Sequence, residues 1–274
     1  DAPISEAAIM GVAVGAAMTG TRPVVEMRFS DFALCAVDEL INQAAKARFM
    51  FGGQSKVPLT VREPIGMWRS SAAQHSQSLE AWYAHIPGLV VVCPSTPADN
   101  HGLLKAAIRC DDPVVYMEHK NLWPLEGEVA DDAGPLELGK ARVARQGRDI
   151  TIVTWSAAVH ETLKAADTLA GEGIDAEVID LRTLWPWDKD AVFGSVAKTG
   201  RFLVVHEAVA VGGFGAELAA SVAETARGLK APVARLGAPR APIAYAPTME
   251  AVLKITPEKI AQKVRGVFSP APAA

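Results

Sequence analysis

The chain has little of what would mark a secreted, membrane-spanning or nucleic-acid-binding protein. Its three cysteines, Cys35, Cys93 and Cys110, are too few and too scattered for a disulfide framework or a zinc cluster, as expected of reduced, intracellular surroundings. No apolar run approaches the roughly 18 residues needed to cross a bilayer, and the first residues lack the basic start and apolar block of a signal peptide. Lys and Arg number 27 against 31 Asp and Glu, a net charge of -4 with no basic run. Neither nucleic acid nor a membrane is therefore an expected partner. No GxGxxG follows a strand-like segment, and P-loop, HExxH and CxxC sequences are missing, which leaves Rossmann dinucleotide binding, nucleotide hydrolysis and the common zinc chemistries without support. What is present suits a globular protein: half of the 274 residues are apolar and 21% charged, enough to bury a core over a length that suggests two domains.

Short runs rich in Val, Ile and Leu alternate with longer stretches of helical spacing, which predicts an α/β fold of parallel strands joined by crossover helices. Ser5 is placed to cap a helix through Met18 that ends at Gly20, and 22–27 reads as a buried strand. Asp31 opens a second helix with Leu34, Val37, Ile41 and Ala44 on one face, stopped by Gly52 and Gly53. Strands are expected at 57–61, 89–93 and 114–117, and helices at 78–84 and 98–109. Residues 124–136, where Glu126, Glu128, Asp131 and Asp132 sit among Gly and Pro without periodicity, read as a linker between a domain at 1–123 and a second at 137–274. After it the pattern restarts, with strands at 150–154, 176–180, 202–206 and 233–236 and helices at 160–170, 189–198 and 216–225.

Several residues admit both a chemical and a structural reading. Glu6 stands in the first turn of an otherwise apolar helix, where a carboxylate is favoured by the helix dipole, or where shielding would let it share a proton with a ligand nitrogen. His75, in a loop with Gly66, Trp68, Arg69 and two serines, suits proton transfer or a packing role. Phe29 and Phe32 flank the second helix at the strand end where α/β sheets bind ligands, or they fill the core. Gly212, Gly213 and Gly215 could cradle an anion or make a tight strand-to-helix turn. His85, His101, His119 and His206 lack metal-ligand spacing and suggest surface or packing roles. His75 beside Ser76 makes no hydrolase triad, and there is no GxSxG elbow.

In combination, the segments DAPISEAAIMGVAVGAAMTGTRPVVEMRFSDF, VDELINQAAKARFMFGGQ, AAQHSQSLEAWYAHIPGLVVVCPSTPADNHGLLKAAIRCDDPVVYMEH and VVHEAVAVGGFGAEL followed by APRAPIAYAPTME resemble the β-subunit of the thiamine-diphosphate-dependent E1 component of 2-oxoacid dehydrogenases, the pyruvate, branched-chain and acetoin group. The resemblance covers essentially the whole chain. It implies two three-layer parallel-sheet domains, a pyrimidine-binding fold shorn of about fifty N-terminal residues and a transketolase C-terminal-like domain. It also implies oxidative decarboxylation of a 2-oxoacid with acyl transfer to the lipoyl group of E2.

By the same resemblance, Glu6 is the acid that hydrogen-bonds the cofactor's aminopyrimidine, Phe32 stacks on that ring, and His75 is the active-site histidine of the HSQ segment. Leu59, Ala107, Ile108, Cys110 and Asp112 match a structural potassium site held largely by main-chain carbonyls, although Cys110 stands where many relatives carry Asp. The loop 64–69, with Met67 and Trp68, departs from a glycine-rich run in relatives and leaves the substrate open among pyruvate, branched-chain acids and acetoin. The GDG motif that holds Mg2+ and the diphosphate is missing from these 274 residues. This implies that an E1 α-subunit supplies it in an α2β2 heterotetramer, in the bacterial cytoplasm or, for a eukaryotic chain, the mitochondrial matrix. Transketolase and deoxyxylulose-phosphate synthase share the pyrimidine-binding domain and stand as alternatives, as does a non-catalytic chain that docks E2.

Overall fold

Valine-rich runs become the strands of two five-stranded sheets in a computed structural model of the chain, which describes residues 1–269. The first half contains α1 (Glu6–Met18), β1 (Val24–Glu26), α2 (Ser30–Ala33), a 3-10 turn (Leu34–Ala36), a π-helical segment (Asp38–Ala44), α3 (Ala45–Met50), β2 (Thr60–Ile65), α4 (Glu80–Ala84), β3 (Val90–Val92), α5 (Pro97–Arg109) and β4 (Val114–His119). The second half runs β5 (Arg142–Arg145), β6 (Ile150–Thr154), α6 (Ala158–Gly171), β7 (Ala176–Asp180), β8 (Thr183–Trp185), α7 (Lys189–Thr199), β9 (Phe202–Val209), α8 (Phe214–Thr225), β10 (Ala234–Ala238), α9 (Pro247–Leu253) and α10 (Pro257–Phe268).

The sheet orders are β1-β2-β4-β3-β8 and β10-β9-β6-β7-β5. Each has a parallel centre and one antiparallel edge strand, β8 against β3 and β5 against β7. Those two edges depart from the all-parallel expectation. Arg142–Arg145 is too polar to read as a strand, and Thr183–Trp185 is three residues long, below the length at which alternation shows.

Two other expectations shift for identifiable reasons. The second strand begins three residues late and runs through Ile65, taking in Arg62 and Glu63. Arg62 forms ion pairs with Glu26 and Glu118 at 2.9 and 2.7 Å. Glu63 is fully buried, and burial pushes its acid up to about 8, against a Tyr83 hydroxyl that stands near without completing a hydrogen bond and with the help of the Asp31 charge. The second helix is not one regular α-helix. Its 3-10 and π segments reset the phase, so the buried face is Ala33, Ala36, Leu40, Ala44 and Ala47, and of the 34-37-41-44 face that a constant 3.6-residue period predicts only Ala44 is fully buried.

The N-terminal helix α1 packs its buried residues Met10, Ala13, Val14 and Ala17 toward this irregular helix, with Gly11 lying against the Glu39 side chain. Ser5 takes the N-cap position, but its hydroxyl makes no capping hydrogen bond. The two halves are tied by a buried ionic cluster. Asp180 accepts from Ser95 and from Arg142 at 3.1 Å, and the Arg182 guanidinium donates to Asp99 at 3.1 Å and to the Lys140 carbonyl at 2.8 Å. Removing one member of a buried pair strands the other charge, so Arg182→Met should lower unfolding free energy by about 3 kcal/mol. Denaturant titration would check this, and an unchanged midpoint would show that Thr96 and Arg142, the other side-chain partners of Asp99, are sufficient.

Candidate active site

Three rings converge where the loop after β1 meets the loop before α4. Phe29 lies 4.8 Å and Phe32 5.2 Å from the His75 imidazole, centroid to centroid, both edge-on, and the two phenylalanines are 5.8 Å apart. Phe32 and His75, far apart in sequence, are thus brought into direct contact. The two loops are also sewn together by hydrogen bonds. Asp31 accepts from the Gln77 side-chain amide at 2.8 Å, and the Ser30 hydroxyl reaches the Gln77 carbonyl. Asp31 Oδ2 and the Ser76 hydroxyl are buried without a protein partner.

Glu6 opens α1 and is half-buried. Helix α1 packs on the helical run that follows Phe32, and no hydrogen bond links Glu6 itself to Phe32 or His75 among the described residues.

Beneath the histidine loop lies a layer of buried charge that the sequence did not single out. Lys120, fully buried, donates to the His75 carbonyl and sits over the Phe29 ring at 4.9 Å. Burial lowers its amine to about 8, with Asp31 and Glu207 resisting the shift. Glu207 accepts from the Met67 N–H at 2.6 Å and pairs with His119 Nε2 at 3.1 Å. Burial acts to raise the Glu207 carboxyl, but His119, the Met67 N–H and Lys120 together hold it below the usual range. His119 Nδ1 accepts from the Asn121 N–H, so the ring is held at both nitrogens. Gly66 turns above it at φ +92°, and a Cβ there would fall 2.0 Å from the imidazole, so only glycine fits.

The loop 64–69 is tightly held. Asn121 donates to the Met67 carbonyl, Glu250 accepts from the Ser70 N–H, Met67 is buried, and Trp68 meets Trp123 edge-on at 6.1 Å. Arg69, Ser70 and Ala72 all adopt positive φ, a costly run for non-glycine residues that these contacts enforce.

Among the remaining candidates, Gly213, Gly215 and His206 pack together. Gly213 and Gly215 make room for the His206 ring, where added Cβ atoms would lie 2.7 and 2.6 Å away. His206 stacks on Trp155 at 5.2 Å, and burial lowers it to about 4, which keeps it neutral.

The positions implied for potassium gather at the C-terminal end of α5 and the start of β2. The carbonyls of Ile108 and Cys110 accept from Arg22 at 3.2 and 2.8 Å, that of Ala107 from the Cys110 N–H, and that of Leu59 from the Val114 N–H, while Asp112 pairs with Arg48. The cation that the Ile108 and Cys110 carbonyls meet at the partly negative helix end is the Arg22 guanidinium. Among the described residues no group of His, Cys, Asp and Glu side chains could hold a metal, and no helix is long and apolar enough to cross a membrane.

Comparison with known proteins identifies the two domains. Residues 1–126 match the transketolase pyrimidine binding domain and 139–260 the transketolase C-terminal domain. The chain is 49% identical over 251 residues to the acetoin:2,6-dichlorophenolindophenol oxidoreductase subunit beta of Cupriavidus necator, covering 91% of this chain and 74% of that one. It is 46% identical over 268 residues to the 2-oxoisovalerate dehydrogenase subunit beta of Bacillus subtilis, covering 97% and 82%. The mitochondrial pyruvate dehydrogenase E1 component subunit beta-2 of Oryza sativa is 46% identical over 255 residues, 91% of this chain and 68% of that one. A solved split-gene transketolase, an inactive beta4 tetramer, shares the fold at a TM-score of 0.81 over 97% of this chain and 82% of its own, with 24% identity. With both domain models matched in order and relatives of this closeness spanning most of their length, the chain belongs to the E1 β-subunit family of pyruvate, branched-chain and acetoin dehydrogenases.

Proposed function

We propose that this chain is the β-subunit of a 2-oxoacid dehydrogenase E1 component that decarboxylates pyruvate or a branched-chain 2-oxoacid and passes the acyl unit to the lipoyl group of E2. Acetoin dehydrogenase is the second reading, favoured by the 49% identity to an acetoin-oxidising relative. The observation that carries the proposal is the contact of Phe32 with His75 on a site whose diphosphate-holding residues this chain lacks.

The site fits the pyrimidine half of thiamine diphosphate. It offers a half-buried acid at a helix start, a half-buried aromatic ring, and buried polar atoms, Asp31 Oδ2 and Ser76 Oγ, that await a partner. When bound, the cofactor supplies an electron sink for decarboxylation. Glu6 would hold a proton at the aminopyrimidine ring nitrogen, Phe32 would orient that ring by stacking, and His75 would hold the substrate carboxylate and serve acyl transfer. The diphosphate and Mg2+ fall to an E1 α-subunit, and E2 is the acyl acceptor. A potassium ion on the carbonyls of Leu59, Ala107, Ile108 and Cys110 with Asp112 would compete with Arg22, whose guanidinium donates to the Ile108 and Cys110 carbonyls. The compartment follows that of the complex, bacterial cytoplasm or mitochondrial matrix.

Titrating thiamine diphosphate into the chain with and without its α-subunit, against a panel of 2-oxoacids and acetoin with an artificial electron acceptor, tests the proposal. Saturable activity is expected only for the pair, and a pair with no cofactor-dependent turnover of any panel member overturns it.

A further inference from the structure

Lys120 is a charged side chain with no exposed surface, and nothing in the function above uses it. An ammonium is withdrawn from water only at considerable cost, and here it is met by few partners. It has one carbonyl, that of His75, and one aromatic face, that of Phe29. The charged groups facing it are Asp31, from α2, and Glu207, from β9. His75 is the titratable group beside it, and His119 is already engaged by Glu207. Asp31 is occupied in turn by Gln77, two residues after His75. Lys120 therefore stands where both loops of the ring cluster are anchored, between the His75 backbone carbonyl and the Phe29 ring.

We propose that Lys120 is a positioning residue for the reaction: its buried ammonium ties the His75 carbonyl to the face of Phe29 and so fixes where the imidazole stands against Phe29 and Phe32. This rests on the role proposed for His75. The ammonium is the form that grips both partners, and burial brings its loss within reach of mildly alkaline pH, about 8. Below that value the tether is whole. As pH rises through it, the charge and the cation–π attraction vanish together.

The test uses the reconstituted α/β enzyme with thiamine diphosphate, Mg2+ and the panel member it turns over fastest. Acylation of a lipoyl domain is measured across pH beside reduction of an artificial acceptor. Lys120→Met should lower lipoyl acylation by about tenfold or more, with acceptor-dye reduction falling less, because displacing a reacting group by an ångström is enough for such losses. Lys120→Arg, which stays charged, should retain most of the rate and lose the alkaline fall near pH 8 that wild type shows. Glu63→Gln should leave that fall in place and so separate it from the other buried group that titrates there. Acylation by Lys120→Met equal to wild type, or an alkaline fall unchanged in Lys120→Arg, overturns the inference. His75→Ala, run in parallel, reports separately on the underlying reading. If its acylation is unimpaired, the histidine role fails, whatever the lysine variants do.

Discussion

Exchange of Glu6 for glutamine should leave a folded, α-binding chain whose turnover is reduced by about 10²- to 10⁴-fold, the range expected when a proton-transferring group is lost. The amide keeps the shape and one hydrogen-bonding oxygen of the acid but cannot carry its proton. Glu6 is the first residue of α1, so the change also removes a favourable charge from a helix N-terminus. That interaction is worth only about 0.3 to 1 kcal/mol, too little to unfold a domain. The two readings of this residue therefore separate in one experiment. A helix-capping acid predicts a small fall in thermal midpoint with turnover intact, whereas the proton-holding role predicts loss of turnover whatever the midpoint does. Near-normal turnover by the reconstituted variant would return Glu6 to the structural class.

His75→Ala should cut lipoyl acylation by about a hundredfold while 2-oxoacid-dependent dye reduction persists at a larger fraction of wild type. The imidazole is half-buried between two phenylalanine edges at 4.8 and 5.2 Å. Its removal also opens space, and some loss of stability accompanies any catalytic effect. The ratio of the two rates distinguishes them, because a purely packing role would depress both equally, in proportion to the folded fraction. Equal losses in both assays would refute the acyl-transfer role.

Much of the architecture was legible because buried parallel strands are written as unbroken valine, isoleucine and leucine. The strand over 176–180 was located residue for residue, and helix ends at Met18 and Arg109 fell where Gly20 and the following Cys110-Asp111 punctuate the chain. Legibility failed at two places where charge goes inside. Glu63 and Lys120 look like surface residues, since a charged side chain ordinarily stays in water. The groups around them, Asp31 and Tyr83 for Glu63 and Asp31 and Glu207 for Lys120, are remote in sequence. The pairing of Phe32 with His75 was visible only through family resemblance, as nothing in either segment encodes the other. The run Glu118-His119-Lys120 after a strand was the one available signal of a polar layer, and it is equally the spelling of an ordinary exposed turn.

The strand β8 belongs in sequence to the second half of the chain and in space to the first sheet, where Trp185 stands opposite Val91. A nascent polypeptide that has emerged only as far as residue 150 cannot complete that sheet, and β3 remains an open template for whatever strand passes by. Synthesis must run well past the midpoint before the first structural unit is sealed, so the amino-terminal half is committed to wait for its distant neighbour, and a prematurely released fragment would be born adhesive.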